Sequence, residues 1–392
     1  MRIAHVANTD YFCAFLLRPQ LREARAAGHD VHVVCGPGPM VETLRRDGFR
    51  VHLVENSRRI EPLEDLRTLG RYVRLFRRER FELIHTHNPK INALAALAAR
   101  MVGVRSVVST VHGLYSHEGQ RPWVRRTWRT LERNSARLAD LVLCQSAEDV
   151  RTARQQRIVS NDRLRSLGNG IDIARFSPTR FGRDDRDAIR RSLGFGPDDF
   201  VVGFVGRLVR EKGIPELLLA TAARRGWRLL LVGPDERGVK RDALDPAVFA
   251  GHAGARWIGL QSDLPPLYAA MDVATLPSHR EGLPRTLLEA QAMATPVVAT
   301  RTRGCREAVV DGQSGWLVPT RRPRALGAAL EALAKDPALR LRLGLAGRDR
   351  AERLYDEQAV FDRIELAYRE LARPSRLPMR LPVRADVLLT PQ

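Results

Sequence analysis

Val201-Val-Gly-Phe-Val-Gly-Arg207-Leu-Val-Arg-Glu-Lys212-Gly213 reads as an apolar strand ending at Gly206, a loop carrying two cations, and a helix beginning near Ile214 or Pro215. Glycine at the end of the strand lets the backbone approach a ligand closely. Arg207 can fork onto phosphate oxygens, and Lys212 adds a mobile point charge. The spacing is not that of a Walker loop, because G-x-x-x-x-G-K-[ST] is absent. Taken alone, the same loop is also a solvated surface turn with two cations.

Outward from this unit, strand and helix patterns alternate along the chain. Strand-like runs at 2–7, 30–35, 50–54, 81–86, 105–110 and 140–144 are separated by helical patterns such as 17–28, 62–79, 89–102 and 121–138. The alternation restarts with strands near 200–206, 228–232, 255–259, 272–276 and 296–299, and with helices at 214–225, 284–294 and 322–336. Such β-α order predicts parallel sheets covered on both faces. The expected fold is therefore α/β, with two doubly wound Rossmann-like domains facing across a cleft, where ligands meet the carboxyl ends of the strands. The polar stretch Gly168–Asp199 reads as the link between them. The expected domains are 1–170, 171–355, a last amphipathic helix at 356–372 packing back on the first domain, and a flexible tail at 373–392. No G-x-G-x-x-G follows the first strand, so a dinucleotide redox enzyme loses its main support.

A second loop carries the chemistry further. In Pro277-Ser-His-Arg-Glu281-Gly-Leu-Pro-Arg-Thr-Leu-Leu-Glu289, a strand runs into a polar corner, Pro284 suits the first helical position, and Glu289 falls in the second turn. Backbone N–H groups at that helix start can face an anion. Two acceptor-only carboxylates flanking an anion cradle suit a ligand with hydroxyls at both ends and phosphate between them, as in a nucleotide-diphosphate sugar. Either glutamate could instead merely favour the helix start.

Bulk composition excludes more than it identifies. At 392 residues, 44% hydrophobic and 28% charged, the chain has the make-up of a globular protein long enough for two cores. The formal charge of +20 fits nucleic acid, an anionic membrane or an acidic substrate. Lys90, Lys212, Lys240 and Lys335 are its only lysines, so the charge is an arginine bias spread over the chain and identifies no partner. Cys13, Cys35, Cys144 and Cys305 are scattered, without zinc spacing, as in a reducing compartment. The start reads as a first strand and not as a signal peptide, and no run of about 18 apolar residues exists. The expected location is the cytoplasm, peripheral on the cytoplasmic face of the membrane.

Several separated motifs now combine. Thr110-Val-His112-Gly113, Asn169-Gly-Ile-Asp172, Gly206-Arg207 with Lys212-Gly213, and Glu281-Gly-Leu-Pro with Glu289 occur in an order and spacing that resembles the retaining family-4 glycosyltransferases of GT-B fold, over roughly residues 1–370. His85-Thr-His-Asn-Pro, the run from Thr110 to Glu118 and Arg303-Gly-Cys-Arg-Glu-Ala-Val-Val-Asp-Gly312 look like the bacterial branch that builds capsule, O-antigen or other lipid-linked glycans. The resemblance implies that Arg207 and Lys212, after Gly206, hold the donor diphosphate and that Glu289 accepts from the ribose. It implies that Glu281 contacts the transferred sugar, helped by the backbone of Gly282 and Leu283, and that His112 reaches the sugar near the anomeric centre. Trp257-Ile-Gly-Leu260 would border the base. The implied reaction moves a hexose or N-acetylhexosamine from a UDP-linked donor to a lipid-linked glycan, with retention and without metal or cofactor. The loop Asn8-Thr-Asp-Tyr-Phe-Cys-Ala-Phe15 departs from the family's Gly-Gly pair, which implies a different acceptor side.

Competing readings are a nucleotide-sugar 2-epimerase of the same fold and a basic nucleic-acid-binding protein. The first lacks a carboxylate pair near His112. The second lacks an RNP, KH or zinc-finger pattern. Asp185-Arg-Asp187 matches a metal-type D-x-D but lies in the charged link and reads as solvated charge. His85 and His87 are expected on opposite faces of their strand, unable to share an ion. In the helix at 121–138, Val124, Trp128, Leu131, Ser135 and Leu138 form the expected packed stripe. Arg126, Arg129, Arg133 and Arg137 lie opposite, as a solvated face or as a docking surface for anionic lipid or a polyprenyl-diphosphate acceptor.

Overall fold

The structure, a computed structural model, describes residues 1–57, 61–117, 119–222, 224–249, 251–252 and 254–372. The tail at 373–392 and Glu118 lie outside the described residues.

Two all-parallel sheets carry the chain. The first comprises β1 (Arg2–Val6), β2 (Asp30–Cys35), β3 (Arg50–Leu53), β4 (Leu83–His87), β5 (Ser106–Val111), β6 (Leu141–Cys144) and β7 (Leu164–Ser166), in the order β3-β2-β1-β4-β5-β6-β7. The second comprises β8 (Phe200–Val205), β9 (Trp227–Val232), β10 (Ala255–Trp257), β11 (Val273–Leu276), β12 (Val297–Thr300) and β13 (Trp316–Val318), in the order β10-β9-β8-β11-β12-β13. Helices cover both faces of each sheet, which is why β8 and β11 are buried at every position. Strand order reverses between β1 and β4 and again between β8 and β11. At such a point the flanking loops diverge and leave a crevice at the carboxyl ends of the strands. The fold is the expected α/β pair of Rossmann-like sheets.

The C-terminal helix Glu357–Ala372 packs on the first sheet. Its Val360, Ile364, Ala367 and Tyr368 share a core with Ile3, Leu83, Val108 and Leu141. No helix among the described residues is long and apolar enough to cross a membrane.

Several local expectations are corrected. The stretch Gly168–Asp199 is not simply a polar link, because it contains the helix Arg183–Ser192. Its Asp and Arg residues disguise a packed face: Arg186 and Arg190, one turn apart, both reach Asp272, each at 2.6 Å. Arg190 is only 3% exposed and also donates to the carbonyls of Ala270, Pro197 and Asp199. Within the D-x-D, Asp185 accepts from the Gly182 N–H at 2.8 Å and caps this helix. Pro284 is the N-cap residue of the helix Arg285–Ala292, one position earlier than expected. The edge strands β7 and β13 and the helices Val41–Arg46, Ala147–Gln155 and Pro337–Leu354 had no expectation.

Asp272 also accepts from the Val201 N–H at 2.7 Å, so it ties that helix to the start of β8. Asp272→Ala leaves the Arg190 charge buried and unpaired. The expected loss is about 3–5 kcal/mol of unfolding free energy, read as a lower urea midpoint; an unchanged midpoint contradicts the clamp.

Candidate functional site

The turn after β8 and the turn after β11 are held together by glycine. A Cβ at Gly213, whose φ is +73°, would lie 2.0 Å from the Pro277 carbonyl oxygen, so only glycine permits this approach. It brings Lys212 to Glu281, with Nζ 2.5 Å from Oε1. Beside them Arg280 donates to Glu211 at 2.9 Å. Burial pushes the Glu211 carboxyl up, but Arg280, Lys212 and Arg207 outweigh burial and hold it below its ordinary value. Arg207, Lys212, Arg280 and Glu281 therefore share one electrostatic neighbourhood. Arg207 is half-buried and makes no side-chain hydrogen bond among the described residues.

Glu289 lies deeper, 5% exposed. It accepts from the Tyr268 hydroxyl at 3.0 Å and from Arg285 Nε at 3.0 Å. Burial raises its pKa in spite of the Arg285 charge. The two glutamates thus have unlike surroundings: Glu281 is paired with a lysine at the mouth, while Glu289 is a buried acceptor. Leu283 contributes its side chain to the core, and its carbonyl accepts from Asn169 Nδ2 at 2.9 Å. Leu260 is exposed just past β10, where Gly233 N–H donates to the Gly259 carbonyl.

The first half meets this corner backbone to backbone. A Cβ on Gly282 would lie 2.5 Å from the His112 carbonyl oxygen, and one on Gly113 would lie 2.9 Å from Gly282 Cα. His112 itself is half-buried, with Nδ1 3.0 Å from Gln145 Oε1 and Nε2 3.2 Å from His87 Nδ1. Phe12, from the loop that departs from the Gly-Gly pattern, sets its ring edge on it at 4.9 Å. Burial lowers the His112 pKa to about 4, so the ring is neutral near pH 7. Both of its nitrogens face protein partners, and its carbonyl lies against Gly282.

His85 and His87 stand on the same face of β4, not on opposite faces as expected. Residues two apart on a strand share a face. Their ring centroids are 4.3 Å apart, and with His5 they bring nitrogens within 4.8 Å of one another, close enough on distance to hold a metal ion. Each of the six ring nitrogens, however, already has a protein partner. His32, His52 and Glu79 form a second such group, beside Arg2 and Arg78. The His-x-His spacing of 85 and 87 was visible in the sequence; nothing in it signalled His5 or the second group.

A set of contacts between the halves was missed by sequence reasoning. Arg303 reaches the buried Asp149 at 2.8 Å, whose other oxygen accepts from Leu114 N–H at 3.2 Å. Glu307 accepts from Ser146 Oγ at 2.7 Å and from the N–H groups of Ala147 and Glu148, so a carboxylate of one half caps the helix Ala147–Gln155 of the other. Arg306 pairs with Glu148. Ser146-Ala-Glu-Asp149 was legible as a helix start; the partner was not. A cavity of about 670 Å³ opens here, lined by Leu114 and His117 from one side and by Arg280, Glu281, Arg303 and Arg321 from the other.

The basic helix Pro122–Arg137 corrects a further expectation. Leu131 is exposed, while Ser135 and Ala136 are buried. Glu132 turns inward to accept from Tyr115 N–H and Ser116 Oγ. Arg126 is exposed and Arg129 half-buried. Arg133 is engaged with the carbonyls of Gln156 and Arg157 at 2.9 and 3.0 Å, so it caps a helix end and is not a free lipid ligand.

Two family models match the chain: Glycosyltransferase Family 4 over residues 20–175 and Glycosyl transferases group 1 over residues 185–350. The chain is 27% identical to the capsular polysaccharide biosynthesis glycosyltransferase CapM of Staphylococcus aureus over 92% of this chain and 95% of that one. It is 28% identical to the UDP-Gal:alpha-D-GlcNAc-diphosphoundecaprenol alpha-1,3-galactosyltransferase of Escherichia coli, over 74% of this chain and 76% of that one. Among solved structures, Anabaena HepE in complex with UDP and glucose superimposes with a TM-score of 0.78 at 21% identity, covering 94% of this chain and 100% of HepE. That likeness establishes the fold.

The buried histidines make acid a specific stress. Burial lowers His112 to about 4 and His5 to about 3, from an ordinary 6.5. Unfolded imidazoles protonate first, so their contribution is full above pH 6.5 and is lost as pH falls toward the folded values, at about 1.4 kcal/mol per pH unit for each ring. Urea unfolding between about pH 7.5 and 5 is expected to show a steeper loss for wild type than for His112→Gln; parallel slopes would contradict the buried neutral ring.

Proposed function

The chain belongs to the glycosyltransferases of family 4 and group 1, and from that premise we propose that it moves a hexose or N-acetylhexosamine from a UDP-linked donor to a lipid-linked glycan. On this reading the anomeric configuration is retained and the product enters bacterial surface polysaccharide. Residues 1–170 serve as the acceptor half and 171–355 as the donor half, with 356–372 returning to the first. The observation that carries the reading is the Lys212–Glu281 pair set against the Gly113–Gly282 contact. A cation and a carboxylate that satisfy each other without ligand are the two groups a sugar diphosphate would separate, phosphate taking the lysine and sugar hydroxyls the glutamate.

Cleaving the sugar–phosphate bond builds positive charge on the ring and negative charge on the leaving diphosphate. On this reading Arg207 and Lys212 stabilise the latter, a preorganised electrostatic effect that usually supplies the largest share of the acceleration. Together with the N–H groups at Gly282 and Leu283, they leave the reading without need of a metal. Glu289 retains lone pairs for ribose hydroxyls beyond its two protein partners, and Leu260 borders the base. His112 contributes its carbonyl and its placement of Gly113. No side chain here is assigned as base for the acceptor; the leaving phosphate takes that proton. The relatives support substrate class by their names, UDP-Gal and a diphosphoundecaprenol acceptor in one, capsule in another.

On the acceptor side, Tyr11 and Phe15 stack in the open with centroids 6.0 Å apart, an aromatic surface suited to a sugar ring. Leu63, Leu66 and Trp123 are 78%, 67% and 66% exposed in the first turns of the helices Pro62–Glu79 and Pro122–Arg137, at the carboxyl-end edge of the first sheet. With Arg126 and Arg129 they fit the cytoplasmic membrane surface, apolar anchors beside cations.

Incubation with labelled UDP-sugars and polyprenyl-diphosphate glycan is expected to give labelled lipid with the donor's anomeric configuration. Lys212→Ala or Arg207→Ala is expected to slow transfer by about 100-fold or more. Inverted product, or unchanged rates in both variants, would refute the site. Trp123→Ala combined with Arg126→Glu is expected to weaken sedimentation with anionic vesicles several-fold while leaving the circular dichroism intact; undiminished sedimentation places the membrane face elsewhere.

A further inference from the structure

Beneath the cleft, polar groups from five elements form one file. His112 Nδ1 meets Gln145 Oε1 at 3.0 Å, and its Nε2 meets His87 Nδ1 at 3.2 Å. His87 Nε2 meets His5 Nδ1 at 3.3 Å, and His5 Nε2 meets the Tyr368 hydroxyl at 3.3 Å. That hydroxyl meets His85 Nδ1 at 2.6 Å, and His85 Nε2 meets Thr110 Oγ1 at 2.7 Å. His5, His85, His87 and Tyr368 have no measurable exposure.

Neutral imidazole has one N–H and one bare nitrogen. Burial holds all four rings neutral near pH 7. Each ring lies between two partners, so it must donate to one and accept from the other. The direction of the bond at the Gln145 end then fixes every other bond in the file. At the cleft end the partner is the Gln145 oxygen, which can only accept, so His112 carries its proton on Nδ1. His87 then donates from Nδ1 to His112, His5 from Nδ1 to His87, and the Tyr368 hydroxyl to His5. His85 donates from Nδ1 to the Tyr368 oxygen, and Thr110 donates to His85. No group is left with two donors facing or two lone pairs facing.

We propose that this file is a positioning relay, in which the Gln145 oxygen sets His112 as its Nδ1–H tautomer and the His87–His5–Tyr368 file backs that ring from the C-terminal helix, steadying the His112–Gly113 peptide against Gly282. Tyr368, His85, His5 and His87 are positioning residues, acting through His112 and touching no substrate. The saturation of the trio also argues that it is a relay and not an ion site, since a metal would break the short bonds of His85. The helix that carries Tyr368 follows the second sheet in sequence and packs on the first, so the relay ties the end of the chain to the loop where the two halves meet. Its catalytic consequence rests on the transfer reading; the tautomers do not.

The test is the long-range proton–nitrogen imidazole spectrum of the uniformly 15N-labelled full chain near pH 7.5. Nδ1–H patterns are expected for His5, His85, His87 and His112. Tyr368→Phe keeps the ring, whose edge meets His85 at 5.7 Å, but removes the hydroxyl that donates to His5 and accepts from His85. It is expected to move the proton of His85 to Nε2, facing the Thr110 hydroxyl, and to leave His5, His87 and His112 as Nδ1–H. Gln145→Leu, which removes the acceptor that sets the file, is expected instead to give a mixture of tautomers at His112 and to lower kcat about tenfold with the donor KM unchanged. His112 as the Nε2–H tautomer in wild type, spectra unaltered by Tyr368→Phe, or stoichiometric zinc in the purified chain each overturns the relay. The spectra need no sugar, so they judge the relay even if the transfer reading fails.

Discussion

Everything at the cleft depends on two backbones being allowed to touch. A Cβ on Gly304 would lie 1.0 Å from the Gly282 carbonyl oxygen, and one on Gly282 would lie 2.5 Å from that of His112. Two loops, after β5 and after β11, and the first turn of the helix Arg303–Ala308 therefore converge where no side chain fits. The consequence is geometric. With the peptides in contact, the groups on either side, Lys212 and Glu281 on one and His112 on the other, are placed by the strands and not by flexible side chains. Sites carried on rigid elements hold their geometry more closely than sites on loops alone. Here the loops inherit rigidity from the sheets through glycine.

Charge is managed around this contact in a consistent way. The chain carries a formal +20, yet the arginines beside the cleft are engaged by carboxylates, Arg280 by Glu211 and Arg303 by Asp149. Asp149 is buried, and burial raises its pKa against the opposing pull of Arg303. Such pairs are weak evidence for stability, because desolvation can offset the attraction. Their value lies in orientation: Arg303 on Asp149 holds one half against the other, while Arg280 on Glu211 joins two turns of the same half. Glu307, seated on the start of a helix from the opposite half, gains from the helix dipole without any cation. Arg207, by contrast, has no carboxylate partner in a salt bridge among the described residues.

How much of this was legible depended on whether the information was local. Alternating β-α patterns predicted both sheets because parallel strands buried on both faces are continuous apolar runs, such as Phe200–Val205. The short edge strands β7 and β13, three residues each, leave no such run. The loop signals at Gly206-Arg207, Lys212-Gly213 and Glu281-Gly282 were visible because glycine and charge at a strand end have few other reasons to coincide. Arg303 with Asp149, and Glu307 with Ser146, join residues more than 150 positions apart, and nothing in either segment names the other. The helix Arg183–Ser192 was hidden because its buried face is made of arginine, a residue type rarely buried unless paired. The error over His85 and His87 was of another kind: the two-residue period of a strand was available and puts them together.

That histidine pair also shows why a site can be only half-readable. His85 and His87 acquire meaning from His5 on one neighbouring strand, His112 just past the other neighbour β5, and Tyr368 on the last helix. Parallel register does the assembling, since His5 lies opposite His85 and His87 opposite Thr110 in the pairing of β1, β4 and β5. Once those strands are aligned, the rings have no water to bond with, and unpaired buried nitrogens would each cost on the order of 1–3 kcal/mol. A file in which every nitrogen is used is what burial at that register permits. The polar interior is thus dictated by the same strand alignment that sets the apolar core, and the loop ending in His112 lies at the end of both.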